Sequence, residues 1–196
     1  MGLLGDRRAE MLKMDTKAGA SDFIHMAFDI PARGLIGLRN RMLNATQGRA
    51  IMHHTFKDYQ PQRGPIPGRK AGVLIATEMG QVTAYALDQL YDRGSFFVKP
   101  GESVYEGQIA GEHCKENDIA VNVTKGKQLS NVRAAGKDDA ARVRPAREMS
   151  LEACLEYIQD DEVVEITPTA IRMRKRLLKE ADRRRAARSK QSAATC

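Results

Sequence analysis

The sequence predicts an α+β chain in two parts, a partial split βαβ unit followed by a small, mostly-β, barrel-like domain with short helices. Three observations carry this. Two-residue alternation flanks a stretch of helical spacing within residues 1–60. A Pro/Gly-rich segment interrupts the chain near Pro65. Short apolar runs divided by turn residues follow it.

In the first part, Ile24, Met26, Phe28 and Ile30 alternate with His25, Ala27 and Asp29, the period of a half-buried strand over 23–30. Residues 10–17 are a candidate partner strand, joined to 21–30 by a turn at Gly19. Pro31 ends the strand, and Leu35, Leu38, Met42 and Leu43 then follow helical spacing up to Gly48, a common helix stop. Alternation resumes at Ala50, Met52, His54 and Phe56, so 49–57 reads as another strand. Strand, strand, helix, strand is most of a split βαβ unit that lacks one strand and most of one helix at its front.

Residues 60–69, with Pro61, Gly64, Pro65, Pro67 and Gly68, are the clearest linker. Beyond it, 73–77 reads as a buried strand, 83–90 as a short helix ending near Gly94, and 96–98 as a strand before the Pro100–Gly101 turn. Residues 105–112 and 119–123 read as further strands, whereas 124–147 is basic and lacks apolar periodicity. Ser150 is placed to cap a helix with Leu151, Cys154, Leu155 and Ile158 on one face. Residues 163–166 form a strand, and the chain from Ile171 passes from strand into a basic helix over about 177–190. The expected domains are therefore 1–60, a linker at 61–69, 70–190, and a frayed tail at 191–196.

Composition narrows the function classes. No apolar run approaches the ~20 residues needed to span a bilayer, and Asp6, Arg7, Arg8 and Glu10 break up the first residues, so neither a membrane partner nor a secretory signal is expected. The default compartment is cytoplasmic. The three cysteines form no C-x-x-C pair, which points to reduced thiols rather than a zinc site or disulfides. The net charge of +7 is unevenly placed. Residues 31–70 hold eight Lys/Arg against one acidic residue, 125–147 seven against two, and 171–190 ten against two, with acidic stretches between them. Such clustering favours a polyanion partner. Scarce aromatics argue against a base-stacking platform for single strands.

No window fits the phosphate-cradling G-x-x-x-x-G-K-[ST] motif, so no catalytic residue is expected here for nucleotide hydrolysis. His53 and His54 are adjacent on a candidate strand and face opposite sides, as do His113 and Cys114, so neither pair makes a metal site. Asp160, Asp161 and Glu162 read as a solvated acidic turn. The candidate nucleic-acid contacts are the loop residues Lys125, Lys127, Arg133, Lys137, Arg142 and Arg144, followed by Arg172, Arg174 and Lys175 ahead of the basic helix. Their cations would neutralise phosphates and release counterions, while Asn122, Gln128, Ser130 and Asn131 are polar enough to fix register.

Wording then adds to pattern. Residues 31–48, with Arg33-Gly34-Leu35-Ile36-Gly37 at their centre, resemble the fifth domain of the elongation factor G superfamily in its TypA/BipA form. Ile51-Met52-His53-His54, Pro65-Ile66-Pro67-Gly68-Arg69, Ala84-Tyr85-Ala86-Leu87, Tyr105-Glu106-Gly107, Gly111-Glu112-His113, Asn131-Val132-Arg133-Ala134-Ala135-Gly136 and Asp160-Asp161-Glu162 are similar to the same family. The resemblance implies a ribosome-associated translational GTPase with roles in stress response, low-temperature growth and large-subunit assembly. It implies a ferredoxin-like first domain, and a family-specific second domain whose loop at about 125–144 reaches the acceptor arm of the A-site tRNA. The implied partners are the large ribosomal subunit, the 70S ribosome, rRNA and that tRNA. GTP and Mg are expected only for a full-length parent, a GTP hydrolase; this chain is expected to bind no cofactor. The alternative is a protein-interaction module whose basic surfaces meet acidic proteins. An enzyme reading ranks behind both.

Overall fold

The computed structural model describes residues 1–16, 24–127 and 144–193, which fall into two compact units, Met1–Gly68 and Arg69–Cys196. The α+β class holds, with several small sheets and short helices.

In the first unit, helix α1 (Gly2–Asp6) precedes an antiparallel pair, β1 (Glu10–Thr16) and β2 (Ile24–Asp29). The register sets Met11 opposite Phe28 and Met14 opposite Met26, with a bulge between Met11 and Lys13. The turn expected at Gly19 lies outside the described residues. Pro31, at φ −60°, ends β2 and opens α2 (Ala32–Leu35). The expected single helix is broken in two, because Gly37 adopts φ +69° before α3 (Leu38–Ala45). That left-handed backbone is open to glycine at little cost and interrupts the helical ladder. Gly34 is required for a different reason: a Cβ there would lie 2.9 Å from the Arg7 carbonyl oxygen. The buried Arg7 side chain crosses this turn and donates to the carbonyls of Gly34 (2.7 Å) and Ile36 (2.6 Å).

The strand expected over 49–57 does not form. Its alternation is real, but a strand needs a ladder partner, and none of the described residues supplies one. The segment runs exposed, with Ile51, Phe56 and Tyr59 largely open to solvent. It is fixed instead by side chains: Asp29 accepts from Lys57 and Arg63, both at 3.0 Å.

In the second unit, β3 (Val73–Ala76) is central to a four-stranded sheet. The other elements up to Val121 are β4 (Gly80–Gln81), α4 (Ala84–Leu90), β5 (Gly94–Phe96), β6 (Ser103–Val104), β7 (Ile109–His113) and β8 (Ile119–Val121). The sheet order is β5-β7-β3-β8, with β3 antiparallel to β7 and parallel to β8. Leu74 and Ala76 point into one core with Val82, Leu87, Phe96 and Val121. Val73 and Ile75 point into another with Ile109, Cys154, Tyr157 and Met173. Burial on both faces explains why the strand reads as a continuous apolar run rather than an alternating one.

Helix α5 (Leu151–Tyr157) covers the second face, and Ser150 caps it by accepting from the Ala153 amide at 3.3 Å. The inward face differs from the expected one: Cys154 and Tyr157 are buried, whereas Leu151 and Leu155 are exposed. The hairpin β9 (Glu162–Ile166) and β10 (Ile171–Lys175) joins the sheet through Gln108 opposite Arg174 and a bond from the Lys175 amide to the Gly107 carbonyl at 2.9 Å. Helix α6 (Glu180–Ala193) follows. The described strands do not close into a barrel. They stay as separate sheets, and the chain at Arg147 runs beside β5, its amide donating to the Phe96 carbonyl at 2.9 Å.

Candidate nucleic-acid interface

Strand alternation divides the basic residues of β10 between two environments. Met173 and Lys175 point inward, while Arg172 and Arg174 lie half-buried on the opposite face. Lys175 is only 2% exposed, and its Nζ lies 2.6 Å from Asp118, 2.8 Å from Asp161 and 2.8 Å from Glu162. Burial alone would lower its pKa, but these hydrogen bonds outweigh burial and hold the ammonium above its ordinary range. Lys175 is therefore removed from the expected phosphate contacts, since all its charge is spent inside the protein. The acidic turn is corrected by the same geometry: Glu162 is fully buried, and its carboxylate also takes both terminal nitrogens of Arg69 at 2.5 and 2.6 Å. Arg69 in turn stacks over the Tyr157 ring at 4.6 Å.

The basic loop has two described feet. At the first, Thr83 caps α4 by accepting from the Ala86 amide (3.1 Å), and its hydroxyl donates to the Lys125 carbonyl (2.6 Å). Asn122 is committed to a local turn, accepting from the amide (3.0 Å) and hydroxyl (2.9 Å) of Thr124. Lys125 and Lys127 are exposed beyond it. At the second foot, the Tyr91 hydroxyl bonds both backbone groups of Arg144, whose guanidinium sits 5.2 Å from the Tyr91 ring centre. Arg147 then lies over Phe97 and reaches Glu112 at 3.5 Å. Thr83 and Tyr91 flank α4, so the feet stand roughly 12 Å apart at about 1.5 Å per residue. Arg133, Lys137 and Arg142, like Gln128, Ser130 and Asn131, lie outside the described residues. Tyr91 was not legible as an anchor, because the sequence offers no local pattern linking it to a residue 53 positions away.

On α6, Arg184 pairs with Glu180 (2.5 Å) and Arg183 donates to the Leu177 carbonyl (3.0 Å), while Arg188 remains exposed. His53 and His54 are both exposed, and no group of three or more His, Cys, Asp or Glu among the described residues is placed to hold a metal. The Gly34–Gly37 turn offers no cradle for a nucleotide phosphate: its Gly34 amide donates to the Pro31 carbonyl at 2.7 Å, and its Gly34 and Ile36 carbonyls are held by Arg7. No described helix is long and apolar enough to cross a membrane.

Residues 71–180 match the family described as the TypA/BipA C-terminal domain, and residues 1–70 match the elongation factor G C-terminus. The chain belongs to the TypA/BipA family. Among relatives in that family, the "Large ribosomal subunit assembly factor BipA" of Bacillus subtilis is 45% identical over 194 residues, covering 98% of this chain and 31% of the relative. The proteins of the same name from Salmonella typhimurium and Synechocystis are 45% and 46% identical, covering 95% and 88% of this chain and 30% and 28% of their own lengths. The chain thus spans about a third of the length of the curated relatives it matches, and both of its parts match C-terminal regions of the families concerned.

Proposed function

We propose that this chain is an RNA-binding region through which a TypA/BipA-type translational GTPase engages the large ribosomal subunit. One observation carries the reading: both feet of the most basic loop are clamped to the ends of α4, with Lys125 and Arg144 exposed at them. The clamped feet hold Lys125 and Arg144 at the surface beside a helix. The relatives' name, a large-subunit assembly factor, supplies the partner. In this reading the contacts are to rRNA and to the acceptor arm of an A-site tRNA, in the cytoplasm, and the physiological roles are subunit assembly, stress response and growth at low temperature. GTP hydrolysis belongs to the full-length parent.

The test is co-sedimentation of the 196-residue chain with purified large subunits across a salt series. If three or four loop cations meet phosphates, the log–log slope of affinity against salt is about −2 to −4 from the loop alone. Binding that survives nuclease digestion of the RNA would move the partner to an acidic protein.

A further inference from the structure

We infer that Arg172 and Arg174, together with the Tyr105 hydroxyl, form a phosphate-binding face on the β9–β10 hairpin, where the Glu165 carboxylate occupies the position that an RNA phosphate takes on binding. This rests on the reading that the chain binds RNA, and it names a second site apart from the 125–144 loop.

The face is built by register. Arg172 stands opposite Glu165 across the ladder, and Arg174 stands opposite Val163, so the two arginines lie on one face about 7 Å apart. Gln108 opposite Arg174 brings the 105–108 turn against the same strand. From that turn the Tyr105 hydroxyl donates a short bond to Glu165 Oε2. Burial and this bond push the phenol up to about 12, so it remains a donor at neutral pH, with Arg174 and Arg172 close enough to pull the other way.

The charges on this face are unevenly matched. Arg172 Nε is buried, and no described residue accepts from it. Arg174 has one backbone acceptor, the Lys175 carbonyl at 3.3 Å. Glu165 faces Arg172 in the ladder, yet its carboxylate accepts from the neutral phenol and pairs with neither guanidinium. A desolvated guanidinium nitrogen without an acceptor is costly in a finished structure. An incoming phosphate, with several acceptor oxygens and a full negative charge, satisfies Arg172 and Arg174 together and can take the phenol proton donor from Glu165.

The face also adjoins the basic helix. Gly107 packs so tightly on Leu178 that a Cβ would lie 2.7 Å from the Leu178 Cα, and Glu106 accepts from the Glu180 amide at 3.3 Å. Helix α6 therefore starts beside the turn that carries Tyr105.

The experiment compares the full chain with Glu165→Gln, Arg172→Ala and Arg174→Ala, using a labelled RNA stem-loop, a salt series and a thermal melt of each variant. Glutamine keeps an acceptor for Tyr105 and removes the charge. Expected is a roughly threefold to tenfold tighter complex for E165Q, from relief of like-charge opposition to phosphate. Each arginine variant is expected to flatten the salt slope by about one, with its melting temperature close to the parent's. Arg172→Lys, which keeps the charge but loses the fork, guards against a folding defect: it should retain the slope and lose affinity. If the parent binds RNA and none of E165Q, R172A and R174A alters affinity or slope, the face is not a phosphate site, and the loop reading stands. If the parent does not bind the RNA, the proposed function fails and this site with it. Equal binding of poly-glutamate through the same arginines would overturn the phosphate assignment.

Discussion

Glu162 Oε1 lies 2.8 Å from Lys175 Nζ, with both side chains almost wholly buried. The same carboxylate anchors Arg69 at the first residue of the second unit. One buried anion thus holds two buried cations, and Asp118 and Asp161 complete the charge balance from the surface side. Asp118 also accepts from the Val73 amide at 2.9 Å, which ties this network to the start of the central strand.

Glu162→Ala should be the more damaging end of that pair. It leaves Arg69 and Lys175 buried with less compensation, a loss of about 3–5 kcal/mol. Lys175→Met leaves Glu162 still bound to Arg69 and should cost less. Urea denaturation of the two variants checks the order, and a Glu162→Ala loss under about 1 kcal/mol would show that the network is not the anchor.

Stability should fall at alkaline pH. The folded Lys175 ammonium sits above its ordinary 10.5, so its contribution is complete below that pH and is lost as pH rises through the folded value. Tyr105, raised to about 12 from 10.0, acts in the same direction: the folded state holds a proton that the unfolded state has released. The urea midpoint should be flat near neutrality and drop from about pH 10 upward, and Lys175→Met should show a shallower drop. An unchanged drop in that variant would assign the effect to the tyrosines.

Replacing Lys125, Lys127, Arg133 and Lys137 together by alanine should flatten the salt slope of large-subunit binding by about 2–4. Each exposed substitution is worth within about 0.5 kcal/mol of stability, so the melting temperature should barely move. Unaltered affinity and slope would transfer the main contact to the β10 face and α6.

Gly34→Ala should destabilise the first unit by about 1–3 kcal/mol, because the new methyl has a backbone oxygen, not a pliable side chain, in its way. Faster proteolysis within residues 1–68, with the second unit unaffected, is the expected readout. Equal cleavage rates would mean that the turn shifts without cost.

Local pattern decided a good deal. The β1–β2 pair, the Ser150 cap, the apolar run of β3 and the strand before the basic helix were all legible, since each depends on a period or a cap within a few residues. The 49–57 alternation misled because it reports two faces without supplying a neighbour to bond. At Ile171–Lys175 the signal was present: Met173 marks an inward face, and Lys175, two residues on, falls on it. Counting cations hid that, because Arg172, Arg174 and Lys175 count alike whichever face they are on.

By itself the sequence determined the α+β class, the position of most elements, the clustering of positive charge and the family. Only the tertiary structure decided which charges are available. Asp118 and the adjacent Asp161 and Glu162 reach Lys175 from two separate segments and neutralise it, whereas Arg172, on the opposite face of the same strand, keeps a buried nitrogen with no acceptor among the described residues. Periodicity is set by backbone geometry between neighbours in the chain, but the free energy of a charge is set by what the fold places around it.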